Sequence, residues 1–318
     1  MSNSLPPFAR LLVPYDGSDP ARAALKLALA LSADGAQLTV VTVVDETVVI
    51  SQSATTMIAY DPTPLMEALD AQGSALLSDA SKECRTAGVI PTTQLVHDVP
   101  IAGITAAIEK NTSDLVIMGT HARTGVARTF LGSTTEGVLR LSPVPVLTIR
   151  AMDRVGPEPF AVALVAIDDS EPADAAVTVA ATLARTAGTH IVACHSIDRT
   201  RLYDNAIAYG FDSDQIAGEM RQEGTAIVRR ALERASLPLD IPVAIVDGPP
   251  AAAVLEEAGA RHATVIVAGS HGRRGLRRFF LGSVAESIVR SSDIPVLVVP
   301  GGSPKMGLRH ACDSKRAP

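Results

Sequence analysis

The sequence predicts an α/β protein built from two tandem, open, doubly wound domains, each with a five-stranded parallel sheet and helices on both faces. Three observations lead to this prediction: the second half of the chain repeats the first, short β-branched runs alternate with helical patterns, and the composition is that of a globular protein. At 318 residues the chain has about twice the length of a usual domain. Hydrophobic residues make up 47% and charged residues 19%, which is enough apolar material for packed cores.

The internal repeat is clearest towards the end of each half. The segment 119–149, GTHARTGVARTFLGSTTEGVLRLSPVPVLTI, aligns without a gap on 269–299, GSHGRRGLRRFFLGSVAESIVRSSDIPVLVV, and fifteen of the 31 positions are identical. Three shorter matches occur in the same order, pairing Leu11–Ser18 with Ala163–Ser170, Leu38–Asp45 with Ile191–Asp198, and Leu95–Pro100 with Ile245–Pro250. The chain is therefore a tandem duplication of a unit of about 145 residues.

The boundary between the repeats is predicted where Gly, Pro and charged residues cluster, in MDRVGPEP at 152–159. Such composition is typical of a short exposed linker. We therefore expect one domain at 1–151 and a second at 160–300. Residues 301–318 show no periodicity and are predicted to form a mobile C-terminal tail.

Within each half, continuous β-branched runs alternate with helical patterns, and such runs are typical of parallel strands covered on both faces. In the first half the predicted strands include Arg10–Val13, Leu38–Val44, Leu115–Met118 and Val146–Ile149. The predicted helices run from Ser18 to Leu31 and over roughly 64–87, 101–111 and 135–141. Each half therefore has the pattern (βα)4β, and right-handed crossovers place helices on both faces of an open sheet.

The last strand of each half, Pro145–Ile149 or Pro295–Val299, is short, β-branched and preceded by proline. An unpaired strand of this kind would be an association hazard. Such a strand needs a partner if it lies at the edge of its sheet.

The composition argues against several classes of protein. Aromatic residues make up 3% of the chain, Trp is missing, and the net charge is −6, whereas nucleic-acid binders are basic and often rich in aromatics. Three scattered Cys residues give neither a disulfide framework nor a C-x-x-C metal site. No apolar run approaches 18 residues, and residues 1–10 lack the features of a signal peptide. We therefore expect a cytoplasmic protein with no membrane segment and no nucleic-acid partner.

Polar and glycine-rich residues follow two strands of each half, at the carboxyl ends where open parallel sheets bind ligands. Asp16 and Asp168 end the first strand of their halves. After the fourth strand, the second half has the string Gly269-x-x-Gly272-x9-Gly282-Ser283. Its glycines allow close approach of a phosphate chain, and the helix that starts at its end favours anions. The alternative role for either Asp is to cap the helix that follows.

Other polar residues near these strands have less specific interpretations. His121 and His271 occupy matching loop positions but lack the spacing of metal ligands, so we expect loop or nucleotide-edge packing. His195 lies inside an apolar strand, which favours a core histidine with a satisfied hydrogen bond. Arg273 is either a phosphate donor or part of a solvated flap.

Known catalytic motifs are missing from the sequence. It contains no Gly-Lys-Ser/Thr of a Walker A loop, no strand followed by G-x-G-x-x-G, and no G-x-S-x-G elbow. No acid and base residues form an evident catalytic pair. The sequence therefore shows no evident catalytic device.

The glycine string, the Asp-ended first strand and the closing PVLVV strand together resemble the universal stress protein family, specifically its ATP-binding branch. The resemblance covers Phe8–Arg150 and Phe160–Pro300. It implies that ATP or another adenine nucleotide is bound as a regulatory ligand in a stress response, with Mg²⁺ accompanying the phosphates and with regulatory protein partners of unknown identity. It also implies that the two halves pair within one chain along the edge formed by the last strand of each, which gives a compact, dimer-like monomer; further association into a homodimer stays open. Three hypotheses remain: a regulatory nucleotide binder, an interaction module with empty pockets, or a slow ATPase.

The resemblance also implies a role for individual residues. The Asp of strand 1 lies beside the adenosine, the backbone at the end of strand 2 contacts the adenine edge, and the glycine string holds ribose and phosphates. In the second half the implied nucleotide-binding residues are Ala166, Asp168, Ser196, Gly269, Ser270, His271, Gly272, Arg273, Gly282, Ser283 and Val284. In the first half they are Pro14, Asp16, Val43, Gly119, Thr120, His121, Ala122, Arg123, Gly132, Ser133 and Thr134. Because Ala122 stands where the second half has Gly272, we expect tighter binding in the second half.

Overall fold

The computed structural model describes residues 7–32, 35–47, 61–120, 131–150, 158–198, 213–272 and 281–302. The first half contains, in order, β1 (Arg10–Pro14), α1 (Asp19–Ser32), β2 (Gln37–Val44), α2 (Thr63–Thr86), β3 (Thr92–His97), α3 (Pro100–Lys110), β4 (Leu115–Gly119), α4 (Ser133–Leu141) and β5 (Val146–Ile149). The second half repeats this order with β6 (Val162–Ala166), α5 (Glu171–Ala187), β7 (His190–Ile197), α6 (Ser213–Arg234), β8 (Val243–Asp247), α7 (Pro250–Ala260), β9 (Val265–Gly269), α8 (Ser283–Ser291) and β10 (Val296–Val299).

The ten strands of the described ranges belong to one sheet with the order β3-β2-β1-β4-β5-β10-β9-β6-β7-β8. Within each half every pairing is parallel, whereas β5 and β10 pair antiparallel, with Leu147 opposite Leu297. The expected pairing of the two last strands within one chain is confirmed, and β3 and β8 are the outer strands of the sheet.

The helices cover the sheet on both faces. One core cluster joins α1, α2, α5 and α6 to one face, and the other joins α3, α4, α7 and α8 to the opposite face. Both clusters contain residues of both halves: Leu147 and Leu297 belong to the first, and Val146 and Val296 to the second. The predicted α/β class, with tandem parallel sheets and helices on both faces, is confirmed.

The strand order 3-2-1-4-5 of each half reverses between β1 and β4, and likewise between β6 and β9. Chain connections leave a sheet in opposite directions at such a point, so a crevice opens outside the carboxyl ends of the two strands. This is where the sequence places Asp168 and the start of the glycine string. Among the helices of the described ranges, none has the length and apolar character needed to cross a membrane.

Candidate functional site

A cavity of about 900 Å³ opens at the switch point of the second half. This volume lies in the usual range for small-molecule and cofactor sites. Nine of the residues predicted for this half line it: Ala166, Asp168, Ser196, Gly269, His271, Gly272, Gly282, Ser283 and Val284. Ser270 does not line the cavity; it is buried, and its hydroxyl lies 3.1 Å from His271 Nδ1. Arg273 is outside the described residues.

Asp168 lies just beyond β6 and is held by the turn that leads into α5. Its Oδ1 accepts hydrogen bonds from the backbone N–H of Ser170, at 3.2 Å, and from the Ser170 hydroxyl, at 2.5 Å. Ser170 is the N-cap of α5, because its hydroxyl oxygen accepts from the Ala173 N–H at 3.3 Å. The capping role considered for Asp168 therefore belongs to Ser170, and Asp168 is left as a half-buried carboxylate on the cavity wall.

Gly269 has a packing role in addition to its place on the cavity wall. A Cβ added to it would lie 2.6 Å from the Pro172 carbonyl carbon, so only glycine lets the first turn of α5 approach β9 this closely. Gly119 is equally close to Pro20 in the first half. The first glycine of each string is thus required by the packing of helix on strand, whether or not a phosphate lies nearby.

Gly272 approaches the carboxylate of Asp168. A Cβ at position 272 would lie 2.4 Å from Asp168 Oδ2, so the glycine allows this carboxylate its place on the cavity wall. The aligned residue in the first half, Ala122, lies outside the described residues. The methyl group of Ala122 is therefore expected to crowd the aspartate of its half as well as the phosphates. The two aspartates differ in exposure, since Asp16 is exposed whereas Asp168 is half-buried.

Gly282 is the N-cap of α8 and has no side-chain hydrogen bond to the helix end. Its own N–H donates to the Ser270 carbonyl at 2.7 Å, and its carbonyl accepts from the Glu286 N–H. The N–H groups that follow it open the helix, and such groups with the helix dipole favour an anion. A Cβ at Gly282 would lie 2.9 Å from His271 Cα, so a bulky residue here would displace the loop as well as a ligand.

The wall opposite the glycine string comes from β7 and α6, and sequence reasoning missed most of it. The helix contributes Met220, Glu223, Gly224 and Ile227, and the strand contributes Cys194 and His195. The four helix positions have the i, i+3, i+4, i+7 spacing of one helical face. This periodicity could have identified the four α6 residues as one face of a helix. The sequence did not show which strand that face covers.

Two residues of β7 that the sequence analysis singled out, Ser196 and His195, have side chains that hydrogen-bond to backbone carbonyl groups. The Ser196 hydroxyl donates to the Gly248 carbonyl at 2.8 Å, which ties β7 to the turn before α7. The His195 Nδ1 lies 2.7 Å from the Ile167 carbonyl, in agreement with the expectation of a satisfied hydrogen bond, although this side chain also lines the cavity. Burial of the Cys194 thiol on the same strand raises its pKa to about 12, so it is an inert thiol at neutral pH.

The first half arranges its predicted residues in the same way. Thr120 follows β4 and its carbonyl accepts from the Gly132 N–H at 3.0 Å, the equivalent of the Ser270–Gly282 bond. The remaining described residues lie at the ends of β1 and β2, at the end of β4, and at the start of α4: Pro14, Asp16, Val43, Gly119, Ser133 and Thr134. His121, Ala122 and Arg123 lie outside the described residues. Across the described ranges, no group of three or more His, Cys, Asp or Glu side chains is placed to hold a metal ion.

The comparisons with known proteins agree with this architecture. A family model described as "Universal stress protein family" matches residues 7–150 and again 160–300. A universal stress protein of Mycobacterium tuberculosis is 31% identical over 209 residues, which is 64% of this chain and 67% of that protein. A universal stress protein of Methanocaldococcus jannaschii is 29% identical over 144 residues, which is 45% of this chain and 82% of that protein.

Among solved structures, the crystal structure of a universal stress protein from Archaeoglobus fulgidus has a TM-score of 0.68 at 23% sequence identity. It covers 95% of this chain and 99% of its own. At this identity the likeness concerns the fold, and it extends over both halves. Together with the two matches of the family model, which span most of the chain, this shows that the chain belongs to the universal stress protein family.

Proposed function

We propose that the second half binds an adenine nucleotide, ATP in the first place, as a regulatory ligand in a stress response. The observation that carries the proposal is the convergence on one cavity of three features: the carboxylate of Asp168, the glycine string, and the start of α8 at Gly282. A carboxylate suits the hydroxyl groups of a ribose, whereas a helix start suits phosphates. Asp168 follows β6 and the glycine string starts at the end of β9, and these two strands flank the switch point.

The cavity lining has the mixture of apolar and polar groups expected for a nucleoside. Apolar side chains from the end of β6, from α6 and from α8 form much of the wall, among them Ile167, Ile227 and Ile288. The charged side chains among the described lining residues are Asp168, Asp198 and Glu223, all acidic. We therefore expect the phosphates to bind together with a divalent cation, which Mg²⁺ provides through phosphate oxygens and waters with at most one or two carboxylates.

Two further expectations belong to this proposal. The chain is divided into domains at 1–151 and 160–300, so that each domain holds one site, and it acts in the cytoplasm. The tail expected at 301–318 falls largely outside the described residues and has no role in the proposal.

Equilibrium binding of labelled ATP with Mg²⁺ to the full chain tests the proposal. Asp168→Asn is the most informative variant, because Asn is isosteric and its oxygen can still accept from Ser170. We expect it to weaken ATP binding about tenfold, as for the loss of one charge-assisted hydrogen bond. The matched variant Asp16→Asn should have a smaller effect.

The other two hypotheses predict different results. A wild-type chain that fails to bind ATP at millimolar concentration would contradict the proposal and favour a nucleotide-free interaction module. Release of phosphate at a steady rate, abolished in Asp168→Asn, would favour a slow ATPase. Mass spectrometry of gently purified protein, searching for a nucleotide that co-purifies, identifies the ligand without prior assumptions.

A further inference from the structure

The cavity wall formed by β7 carries an imidazole whose hydrogen-bonding roles are decided by the fold. His195 Nδ1 lies 2.7 Å from the carbonyl oxygen of Ile167. A carbonyl oxygen can only accept a hydrogen bond, so Nδ1 must carry the ring hydrogen. In the neutral ring, Nε2 then has no hydrogen and presents a lone pair.

That lone pair is available to a ligand. His195 is half-buried and lines the cavity, and no hydrogen bond to Nε2 is found among the residues that the structure describes. The α6 backbone passes the edge of the ring at Gly224, where an added Cβ would lie 2.8 Å from Cδ2 and 3.5 Å from Nε2. Glycine at this position therefore leaves room for the ring beside α6.

The neighbouring residue on α6 adds a second acceptor to the same wall. Glu223 lines the cavity beside Gly224, and its carboxylate can only accept when ionised. A ligand that meets this wall is therefore favoured if it presents N–H groups and disfavoured if it presents a carbonyl oxygen.

We propose that His195 selects the base of the bound nucleotide, accepting at Nε2 a hydrogen bond from an exocyclic amino group such as the 6-amino group of adenine. This inference rests on the proposed function of the cavity and adds to it the residue that reads the base. A 6-oxo purine would place an oxygen instead of the amino group against the imidazole lone pair, so His195 Nε2 would be left without a donor, which costs affinity.

The first half supplies a natural contrast. The residue aligned with His195 is Thr42, whose hydroxyl donates at 2.8 Å to the carbonyl of Tyr15, the residue aligned with Ile167. Thr42 thus makes the equivalent hydrogen bond to a backbone carbonyl with a shorter, buried side chain, and it has no ring nitrogen to offer a ligand. Because the fold already uses Thr at this position, His195→Thr is a matched variant that keeps the structural bond and removes the acceptor.

The experiment compares the dissociation constants of ATP and inosine triphosphate, which has a 6-oxo group in place of the 6-amino group, on the full chain. We expect wild-type protein to prefer ATP about tenfold or more. His195→Thr should bring the two constants within about twofold of each other, mainly by weakening ATP. Thr42→Val, the control in the first half, should leave the preference unchanged.

A second variant guards against loss of the fold. Gly224→Ala keeps His195 but places a methyl group against its ring, and Ala is a good helix former. It should also reduce the preference for ATP. An unchanged ratio in both variants, or an equal loss of ATP and inosine triphosphate affinity, would overturn the role of His195. Failure of the wild-type chain to bind either nucleotide would instead overturn the proposed function itself.

Discussion

Gly272 and Ala122 occupy equivalent positions in the two glycine strings, and one methyl group distinguishes them. At position 272 that methyl would lie 2.4 Å from Asp168 Oδ2, well inside van der Waals contact. A methyl group at position 272 would therefore displace the Asp168 carboxylate even when no nucleotide is bound. The expected difference between the two sites can therefore be attributed to the placement of an aspartate.

Reciprocal substitutions at these positions test this attribution. Gly272→Ala should weaken ATP binding about tenfold, since it moves a carboxylate that is expected to hold the nucleotide through charge-assisted hydrogen bonds. Ala122→Gly should strengthen binding in the first half. Both are measured by equilibrium titration of the full chain, with the affinities of the two sites fitted separately. If neither variant changes affinity, other residues set the difference between the halves.

Two buried thiols make stability sensitive to alkaline pH. Burial raises the pKa of Cys84 to about 11 and that of Cys194 to about 12, from 9.0 in both cases. A thiol with a raised pKa contributes fully to stability below pH 9 and loses that contribution as the pH rises towards the folded value. Between pH 9 and 11, each thiol should cost about 1.4 kcal/mol per pH unit.

Urea unfolding at pH 8 and pH 10 measures this cost. The free energy of unfolding should fall more in wild-type protein than in the double variant C84A/C194A, which has no titrating thiol in either core. Any cavity left by the two substitutions affects both pH values alike and cancels in the comparison. Parallel losses in the two proteins would mean that other groups cause the alkaline instability.

At the scale of secondary-structure elements, the start of α5 joins the fold to the candidate site. The Ser170 hydroxyl caps the helix and also donates to Asp168 Oδ1. In the first half, Ser18 Oγ accepts from the Ala21 N–H at 3.3 Å, and the Ser18 backbone N–H donates to Asp16 Oδ1 at 3.0 Å. The cap serine thus contacts its aspartate in both halves, and in the second half its hydroxyl takes part in that contact.

Ser170→Ala and Ser18→Ala should separate capping from ligand binding. Each should lower the free energy of unfolding by about 1 kcal/mol, the usual cost of losing an N-cap. Only Ser170→Ala should also weaken ATP binding, because Asp168 loses a hydroxyl that holds it. Chemical denaturation and nucleotide titration on the same samples give both quantities. Equal ATP affinity in the two variants would show that Ser170 acts on the helix alone.

The long helices of the two halves are attached to the edge strands by polar side-chain pairs in which the acid has changed sides. In the first half Asp70 of α2 pairs with His97 of β3 at 2.6 Å. In the second half Arg221 of α6 occupies the position of the acid and pairs with Asp247 of β8. The contact between the two elements is retained although the carboxylate has moved from the helix to the strand.

At the scale of the whole molecule, the antiparallel pair β5–β10 joins two repeats into one sheet. Leu297 is fully buried and belongs to a core cluster that contains residues of both halves. The two repeats should therefore unfold together. Leu297→Ala should destabilise the chain by about 2–5 kcal/mol, as core truncations of Leu do.

The two buried thiols report on each half separately. Cys84 lies in the first half and Cys194 in the second, and both are buried. In Leu297→Ala, alkylation of both should accelerate by a similar factor under native conditions. Val284→Ala, at an exposed residue of the second half, is the control and should change neither rate. Acceleration at Cys194 alone would show that the halves open independently.

Much of this molecule was determined by the sequence alone. Duplicated motifs, β-branched runs and helix punctuation are local signals, so they predicted two (βα)4β units, the family and the strand ends that flank the site. The start of α4 was misplaced by two residues, at Thr135 instead of Ser133, because a Gly N-cap such as Gly132 carries no side-chain signal. Element ends are decided by a few hydrogen bonds that composition does not encode.

Only the tertiary structure decided which residues face one another across the cavity. The wall of α6, the approach of Gly272 to Asp168 and the ring hydrogen of His195 all depend on contacts between segments distant in sequence. Periodicity shows that a helix has an apolar face, but the strand covered by that face follows from the order in which strands assemble. The sequence therefore predicted a site at the switch point, whereas the packing of α6 on β7 decided which chemical groups the site presents.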